Sequence, residues 1–254
     1  MKREFNIFLN AILYYTRIPV PRSVICDNTT LAKAYRYFPL AGYIIGGIAC
    51  CVFNLSINFL PVSVSVIFAM LSMILITGAL HEDGLADFVD GFGAGYDKEN
   101  ILRIMKDSNI GTYGVISLIM CLLLKFFLLT SILGTSKWFD NLSLILLIAP
   151  GTSRVVPMML ISSLPYARIE KSKVPQASLG MSNINKVIIL LTSIAPLFLF
   201  KLEFAIYYLV AAIVLIFLMR YYVKRKIGGY TGDIAGAAQT ISEILFYVIF
   251  TATY

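Results

Sequence analysis

The sequence predicts an all-α protein, a polytopic membrane helix bundle of about seven spans that forms one domain over residues 1–254. Of these residues 59% are hydrophobic and only 14% are charged, whereas soluble domains carry roughly 25% charged residues. Several uncharged stretches reach the length of about 20 residues that a helix needs to cross a bilayer core of about 30 Å. No polar linker divides the chain. We therefore expect a single integral membrane domain.

Seven stretches are candidate spans, and the first two lie within residues 37–80. That stretch carries no charged residue and is interrupted at Pro61, which leaves room for two helices and a tight turn. Residues 5–16 are apolar but shorter, and they end before Arg17, so we expect an N-terminal helix at the membrane interface. The remaining candidates are residues 113–134, 142–164, 186–201, 204–223 and 234–254.

The basic residues indicate how these spans are oriented. Seventeen of the 21 Lys and Arg residues fall in alternate connections, and only Lys137 and Lys201 fall in the opposite ones. Cytoplasmic loops carry such an excess of basic residues, so we expect the connection 81–112 on the cytosolic side of the inner membrane. The net charge is +7, and the basic residues that produce it lie between apolar segments. This distribution favours anionic lipid over nucleic acid as a partner.

Half of the acidic residues, seven of 14, lie in residues 81–112. Asp83, Asp87 and Asp90 are spaced i, i+4 and i+7, which places them within about 60° on one face of a helix. Like charges so close repel, and Mg²⁺ would relieve the repulsion, because it combines one or two carboxylates with water and phosphate. Glu82 would add a bridging or outer oxygen. The alternative is a solvated acidic surface.

Two charged residues fall inside predicted spans, where a charge costs roughly 2.5 to 3.5 kcal/mol at the bilayer centre. Arg154 is therefore a candidate for binding a phosphate or another anionic substrate. Lys125 would either extend its charge to the interface or pair with a carboxylate. Glu243 is either a buried polar partner or a residue of an interface. His81, the one histidine, is either a base or a hydrogen-bonded helix-end residue.

Two connections contain glycine-rich loops next to polar residues. Residues 98–107 predict a short helix on the membrane surface, and its Lys106 precedes the loop SNIGTYG, a setting in which function is common. The second loop, GGYTGD at residues 228–233, either presents backbone amides to phosphate or places Thr231 or Asp233 as a helix cap. The residues leave these two interpretations open.

The acidic stretch also contains D-x-x-D-G-x-x-A at residues 87–94, which is similar to the start of the CDP-alcohol phosphotransferase signature. Gly95 stands where that signature has arginine, and its second pair of aspartates does not follow. A CDP-alcohol-type phosphotransferase of lipid synthesis is therefore one alternative function. A transporter of an anionic substrate is another, because charged residues inside spans also mark translocation pathways.

Taken together, the motifs resemble the cobalamin synthase family, whose members are adenosylcobinamide-GDP ribazoletransferases. The pair EDGLADxxDG and MKDxxxGTYG is the most specific part of the resemblance, whereas Ala235 departs from the family pattern, which has leucine there. The segments that carry the resemblance are TRIPVP at 16–21, YFPLAG at 37–42, HEDGLADFVDG at 81–91, IMKDSNIGTYG at 104–114, LPYAR at 164–168 and GGYTGDIAGA at 228–237.

The resemblance implies a Mg²⁺-dependent transferase in the cytoplasmic membrane that joins α-ribazole, or its 5′-phosphate, to adenosylcobinamide-GDP and releases GMP. It implies a metal site made by Glu82, Asp83, Asp87 and Asp90, of which the three aspartates would act in catalysis together with Lys106 on the pyrophosphate. The sequence leaves the oligomeric state open and allows a homo-oligomer. The further substrate-binding candidates are Asp107, Thr112, Arg154, Asp233 and Arg36.

Overall fold

The computed structural model describes residues 2–132, 139–168 and 181–254. All regular elements of these residues are helices, and their only strand-like pairing is an isolated parallel bridge between Tyr166 and Tyr230. The predicted all-α class is therefore confirmed. The α-helices are α1 Lys2–Tyr15, α2 Asn28–Ala34, α3 Phe38–Ser56, α4 Val62–Thr77, α5 Leu80–Ala94, α6 Lys98–Ile104, α7 Thr112–Ile132, α8 Phe139–Thr152, α9 Val155–Ser163, α10 Asn183–Ile194, α11 Leu202–Ile227 and α12 Gly232–Thr253. Short 3₁₀ helices cover Tyr35–Tyr37 and Ala195–Leu199.

Within the described residues, five helical segments are long and apolar enough to cross a membrane. A sixth would be the pair α4 and α5 if it crosses as one broken segment. Residues 183–199, which include α10, form a shorter apolar segment. Seven spans were predicted, and that number stays a prediction. The five segments are Thr30–Ser56, Thr112–Ile132, Leu142–Ser163, Leu202–Ile227 and Gly232–Thr253.

The outer faces of α7 and α11 carry large apolar side chains that nothing in the described chain covers. Met120 and Phe127 on α7 are exposed, and so are Ile213 and Phe217 on α11. Contiguous apolar surface of this kind marks a membrane or partner contact. These two helices therefore present the surfaces that lipid would surround.

Helix α1 fits the interfacial helix that residues 5–16 predicted. Its Ile7, Ala11 and Tyr15 are buried against the bundle, whereas Phe5 and Leu13 are exposed. One apolar face thus packs on protein and another stays free. An apolar face of this kind suits the boundary between lipid and water, and the interfacial position of α1 stays a prediction.

The corner between α4 and α5 redirects the chain at the place where the acidic stretch begins. Gly78 and Ala79 both adopt the left-handed conformation, with φ of 66° and 59°. A left-handed residue ends a helix and satisfies its last carbonyls, and the Gly78 amide bonds to Ile74 and Leu75. The axis of α5 therefore departs from that of α4 by 84°, and α5 does not belong to the five long segments.

Close contact between α5 and α12 positions the polar residues of the candidate site. A methyl group added at Gly84 would lie 2.8 Å from the carbonyl oxygen of Asp233 and 3.1 Å from the Cα of Gly236. Gly84 and Gly236 must therefore stay small for the two helix backbones to touch, as small residues do at close helix crossings in membranes. The contact brings the start of α12 against the acidic face of α5.

Candidate active site

Three aspartates follow one face of α5, as their spacing predicts, but their exposure decreases along the helix. Asp83 is exposed, Asp87 is half-buried and Asp90 is buried, with 7% of its surface exposed. The cause is the packing of α5 against α7, which is among the closer helix contacts of the bundle. The three carboxylates therefore have three different environments.

Asp87 stands where negative charge is concentrated. Burial, followed by the neighbouring charges of Asp233 and Asp83, raises the pKa of Asp87 from 3.8 to about 7, while Arg168 opposes the shift. Like charges raise a carboxyl pKa in this way when no cation compensates them. A divalent cation beside Asp83 and Asp87 would remove that penalty, so these residues fit a Mg²⁺ site that uses two carboxylates and substrate phosphate.

Asp233 lies in the first turn of α12, where it forms an ion pair and is not the N-cap residue. The Arg168 Nη2 donates to Asp233 Oδ2 at 2.8 Å. The cap of α12 is Thr231, whose Oγ1 accepts from the Ile234 amide at 3.3 Å and donates to Asp233 at 3.2 Å. Of the two interpretations of this loop, the structure thus supports a cap at Thr231. The Nε of Arg168 is buried and has no hydrogen-bond partner within the described part of the chain.

Asp90 joins the acidic motif to the loop SNIGTYG. Its Oδ2 accepts from the Gly111 amide at 2.7 Å, and its Oδ1 accepts from the Gly114 amide at 2.8 Å. These amides lie at the start of α7, where a carboxylate satisfies free N–H groups and the helix dipole. A Cβ at either glycine would collide with this carboxylate. The predicted role of Asp90 as a metal ligand stays a prediction, but both its oxygens already accept amides.

Glu82 points to a different side of α5 from the aspartates. It is largely buried, and the charges that act on it belong to Lys125, Glu243 and Arg154 in the interior of the bundle. Its Oε2 has no hydrogen-bond partner in the residues described. Within that part of the chain, no three His, Cys, Asp or Glu side chains are grouped closely enough to hold a metal ion. The four predicted ligands are therefore divided between two sides of the helix.

A short backbone pairing fixes Arg168 next to α12. The Ala167 amide donates to the Tyr230 carbonyl and the Tyr230 amide to the Pro165 carbonyl, both at 2.9 Å. Gly229 has to be a glycine here, because a Cβ would strike the Pro165 carbonyl oxygen. Two backbone hydrogen bonds thus join the motifs LPYAR and GGYTGD. Arg168 follows directly from this pairing, which explains its reach to Asp233.

A cavity of about 130 Å³ lies beside these charged residues. Asp83 and Asp233 are part of its lining, and so is His81, which is 8% exposed and whose Nε2 has no hydrogen-bond partner in the described structure. We call it the aromatic cavity because six aromatic side chains line it. They are Tyr14, Tyr15, Tyr35, Phe38, Tyr166 and Tyr230.

Three candidates from the connection between α6 and α7 lie on the surface. Lys106 and Thr112 are exposed. Asp107 is exposed as well, and it accepts hydrogen bonds from the Asn109 amide at 3.0 Å and from the Asn109 side chain at 2.8 Å. Both bonds lower the pKa of Asp107, and the bond from the Asn109 backbone amide has the larger effect. Asp107 thus shapes its own loop, and the substrate roles of all three residues stay predictions.

Arg36 connects elements rather than facing the aspartates. It forms an ion pair with Glu4 of α1, lies 5.1 Å from the ring centre of Tyr37 and contacts the Asn185 side chain of α10 at 3.5 Å. Its guanidinium group therefore already has three neighbours. A direct contact with substrate stays a prediction.

Arg154 lies between α8 and α9, with only 1% of its surface exposed. Its guanidinium group donates to the Pro150 carbonyl and lies 4.6 Å from the ring centre of Phe38. Gly42 leaves room for it, because a Cβ there would meet the guanidinium group. Arg154 therefore lies beneath a wall residue of the aromatic cavity. Its predicted contact with substrate stays untested, and the geometry favours a supporting position.

Lys125 of α7 pairs with Glu243 of α12, so the structure supports the second of its two predicted outcomes, pairing with a carboxylate. Lys125 Nζ lies 2.7 Å from Glu243 Oε1, and the Tyr247 hydroxyl donates to the same oxygen at 2.8 Å. Gln239 lies 3.5 Å from the other carboxylate oxygen and donates to Ser153 at 2.7 Å. Glu243 is thus a buried polar partner, one of its two predicted roles. The network connects α7 and α12 to the Arg154 segment.

Replacing one partner of the Lys125–Glu243 pair should destabilise the protein more than replacing both partners. We expect Lys125→Met to cost about 3 to 5 kcal/mol, because it leaves the Glu243 carboxylate buried without its cation. The double variant Lys125→Met with Glu243→Leu should recover most of this loss. Thermal unfolding in detergent measures both, with Lys224→Met at the exposed end of α11 as the control. Equal melting temperatures for Lys125→Met and the control would contradict the prediction.

Sequence reasoning missed Arg168 and the aromatic walls of the cavity. Arg168 ends the motif LPYAR, but the motif alone assigns it no role, because its partner Asp233 is 65 residues away. The signal that the sequence offers is the cationic Arg168 at the end of LPYAR and the acidic Asp233 at the end of GGYTGD. The tyrosines gave no comparable signal, since a chain with 15 tyrosines offers many aromatic groupings.

Comparisons with known proteins agree with one another over nearly the whole chain. The sequence model of the cobalamin-5-phosphate synthase family matches residues 7–251. An adenosylcobinamide-GDP ribazoletransferase of Shewanella woodyi strain ATCC 51908 / MS32 is 39% identical over 250 residues, covering 98% of this chain and 96% of the relative. The enzymes of that name from Shewanella baltica strain OS185 and Shewanella sp. strain W3-18-1 are 43% and 44% identical, each covering 97% of this chain and 94% of the relative. No solved structure matches the chain significantly.

Proposed function

Because this chain belongs to the cobalamin-5-phosphate synthase family, we propose that it performs the transfer after which its relatives are named. It is an enzyme of cobalamin synthesis, and the relatives are adenosylcobinamide-GDP ribazoletransferases. The proposed donor is adenosylcobinamide-GDP and the proposed acceptor is α-ribazole or α-ribazole 5′-phosphate. The products would be adenosylcobalamin, or its 5′-phosphate, and GMP.

The proposed step replaces the anhydride oxygen shared with GMP by a ribose ester oxygen at the phosphorus that carries cobinamide. A ribose hydroxyl of the acceptor gives its proton to water and bonds to this phosphorus, while the pyrophosphate bond breaks and GMP leaves with the electron pair. We place the attack at a ribose hydroxyl other than the 5′ one, because the acceptor α-ribazole 5′-phosphate carries its phosphate there. Such reactions depend mainly on positioning and on neutralising phosphate charge.

The observation that carries this proposal is the meeting of opposite charges beside a cavity. Asp83 and Asp87 of α5 lie near Asp233 of α12, and Arg168 pairs with Asp233. An acidic pair suits the divalent ion, while a guanidinium group suits phosphate oxygens. We therefore place the pyrophosphate of the donor between these two kinds of group.

Asp83 and Asp87 would hold Mg²⁺, which when bound would neutralise charge on the two phosphate groups. Arg168 would orient the pyrophosphate through its buried Nε, which has no other hydrogen-bond partner in the described residues. Asp233 would keep the guanidinium plane in place, since a planar fork is fixed by one bonded edge. Asp90 would act indirectly by fixing the start of α7 against α5.

The proposed location is the cytoplasmic membrane, with the site on the cytosolic side. Support comes from the basic residues, because the seven predicted spans would put the site-bearing connection on the side with seventeen of the 21 Lys and Arg residues. Juxtamembrane basic residues favour the cytosolic face. The five long apolar segments supply the membrane anchor.

Oriented membrane vesicles test the reaction, the metal and the side together. Inside-out vesicles containing the protein should release GMP from added adenosylcobinamide-GDP and α-ribazole, whereas intact right-side-out vesicles should not. EDTA should abolish the release and excess Mg²⁺ should restore it. Release that survives EDTA would refute the metal, and release from right-side-out vesicles alone would refute the side. CMP release from a CDP-alcohol, without GMP release, would instead identify a lipid-forming phosphotransferase.

A further inference from the structure

The walls of the aromatic cavity offer aromatic surface to a flat ring. Tyr15 and Phe38 lie with ring centres 4.0 Å apart and planes inclined by 30°, while Tyr166 and Tyr230 meet edge to face at 5.3 Å. A ligand ring beside such side chains would be stabilised by offset-stacked or edge-to-face contacts. The cavity volume of about 130 Å³ is below the roughly 300 to 1,000 Å³ of sites that enclose a whole drug-sized ligand. It therefore suits a single bicyclic base.

Few polar groups of the cavity are free to bind that base. Met158 and Ile161 in the lining are buried and apolar, and the hydroxyl groups of Tyr14 and Tyr35 interact with each other. The His81 imidazole is more than nine-tenths buried, and its Nε2 has no partner in the described structure. A ring with one nitrogen to pair would be satisfied here. Guanine has polar groups on most of its edge, and burying them unpaired is costly.

The cavity opens onto the charged residues of the site. Asp83 and Asp233 belong to its lining together with Gly232, at which an added Cβ would meet nothing within 4 Å. A base seated between the aromatic walls would thus direct its ribose toward the carboxylates. The acceptor nucleoside has its reacting hydroxyl on that ribose, whereas the guanine of the donor is separated from the reacting phosphorus by a ribose and a second phosphate.

We infer that the aromatic cavity binds the benzimidazole-type base of the acceptor nucleoside, with the His81 Nε2 hydrogen-bonded to its free ring nitrogen. This inference rests on the proposed function, since it assigns one of the two substrates to a part of the same site. It makes the cavity walls the determinants of which lower base is accepted. An apolar bicyclic base fits better than a purine, whose exocyclic groups would lose their water.

Filling the cavity tests the inference. Ala235 lines the cavity and is partly exposed, so Ala235→Phe places a ring in the space without removing a core side chain. We expect the KM for α-ribazole to rise at least tenfold and the KM for adenosylcobinamide-GDP to stay within twofold. The matched control is Ala252→Phe, at the exposed far end of the same helix, which should leave both KM values unchanged.

A binding measurement separates this inference from the reaction itself. Equilibrium dialysis of radiolabelled α-ribazole against the full-length protein in nanodiscs should show weaker binding for Ala235→Phe and, through the lost hydrogen bond, about tenfold weaker binding for His81→Phe. A KM increase confined to adenosylcobinamide-GDP would assign the cavity to guanine and overturn the inference, as would unchanged α-ribazole binding in both variants. Absence of GMP release by the wild-type protein, with α-ribazole binding still lost in the variants, would refute the proposed function and leave the base site standing.

Discussion

The variant Asp87→Asn is expected to release GMP about a thousandfold more slowly than the wild type, because loss of about 4 kcal/mol of metal stabilisation of the transition state has that effect on the rate. Asparagine keeps the size and one oxygen of the side chain but removes the charge that draws the cation. Asp87 is half-buried between Asp83 and Asp233, so the substitution also relieves repulsion in the absence of metal. The variant should therefore fold at least as well as the wild type.

The comparison that isolates this effect is Glu99→Gln on α6. Glu99 is an exposed carboxylate of the same connection and loses the same charge, but it has no place in the site. It should keep wild-type turnover. The Mg²⁺ concentration for half-maximal rate should rise in Asp87→Asn and not in Glu99→Gln. Wild-type turnover in Asp87→Asn would remove the metal assignment.

Gly84→Ala is expected to lower GMP release by about a hundredfold, since displacement of catalytic groups by about 1 Å can cost that much. The new methyl group would lie 2.8 Å from the Asp233 carbonyl oxygen and 3.1 Å from the Gly236 Cα, and backbone atoms cannot rotate aside. Helices α5 and α12 must separate, which moves Asp83 and Asp87 away from Asp233. Overpacking also costs about 1 to 3 kcal/mol of stability.

Gly47→Ala supplies the control for the same change in a membrane helix. A Cβ at Gly47 would meet only the Leu147 Cδ1, at 3.6 Å, which is an ordinary contact. This variant should keep both its melting temperature and its turnover. If Gly84→Ala behaved like Gly47→Ala, the site would not depend on the close crossing of α5 and α12.

Features set by neighbouring residues could be predicted from the sequence. The turn at Pro61 separates α3 from α4, and the acidic helix follows directly after a membrane-type helix, because charge patterns and helix breakers act locally. The pairing of Lys125 with an acid was also predictable, since a buried charge needs a counter-charge wherever the chain folds.

Features set by how helices cross could not be predicted. The side of α5 that faces the interior depends on its contact with α12, and that contact sends Glu82 inward while Asp83 stays exposed. The spacing of the acidic residues fixes their angles around the helix but not the direction of the helix. The hydrogen bonds of Asp90 to the start of α7 and the pairing of Arg168 with Asp233 likewise join segments that only tertiary packing brings together.

The corner at Gly78 and Ala79 also bears on how the proposed donor, a large cobinamide nucleotide, would approach the site. Since α5 is turned aside there by 84°, its acidic face runs from the exposed Asp83 at its start to the buried Asp90. A bulky cobinamide nucleotide would then have to present only its phosphate tail, while its macrocycle stays in the surrounding water. Under the proposed function, the bundle would thus need to hold the phosphate part of the donor and not its macrocycle.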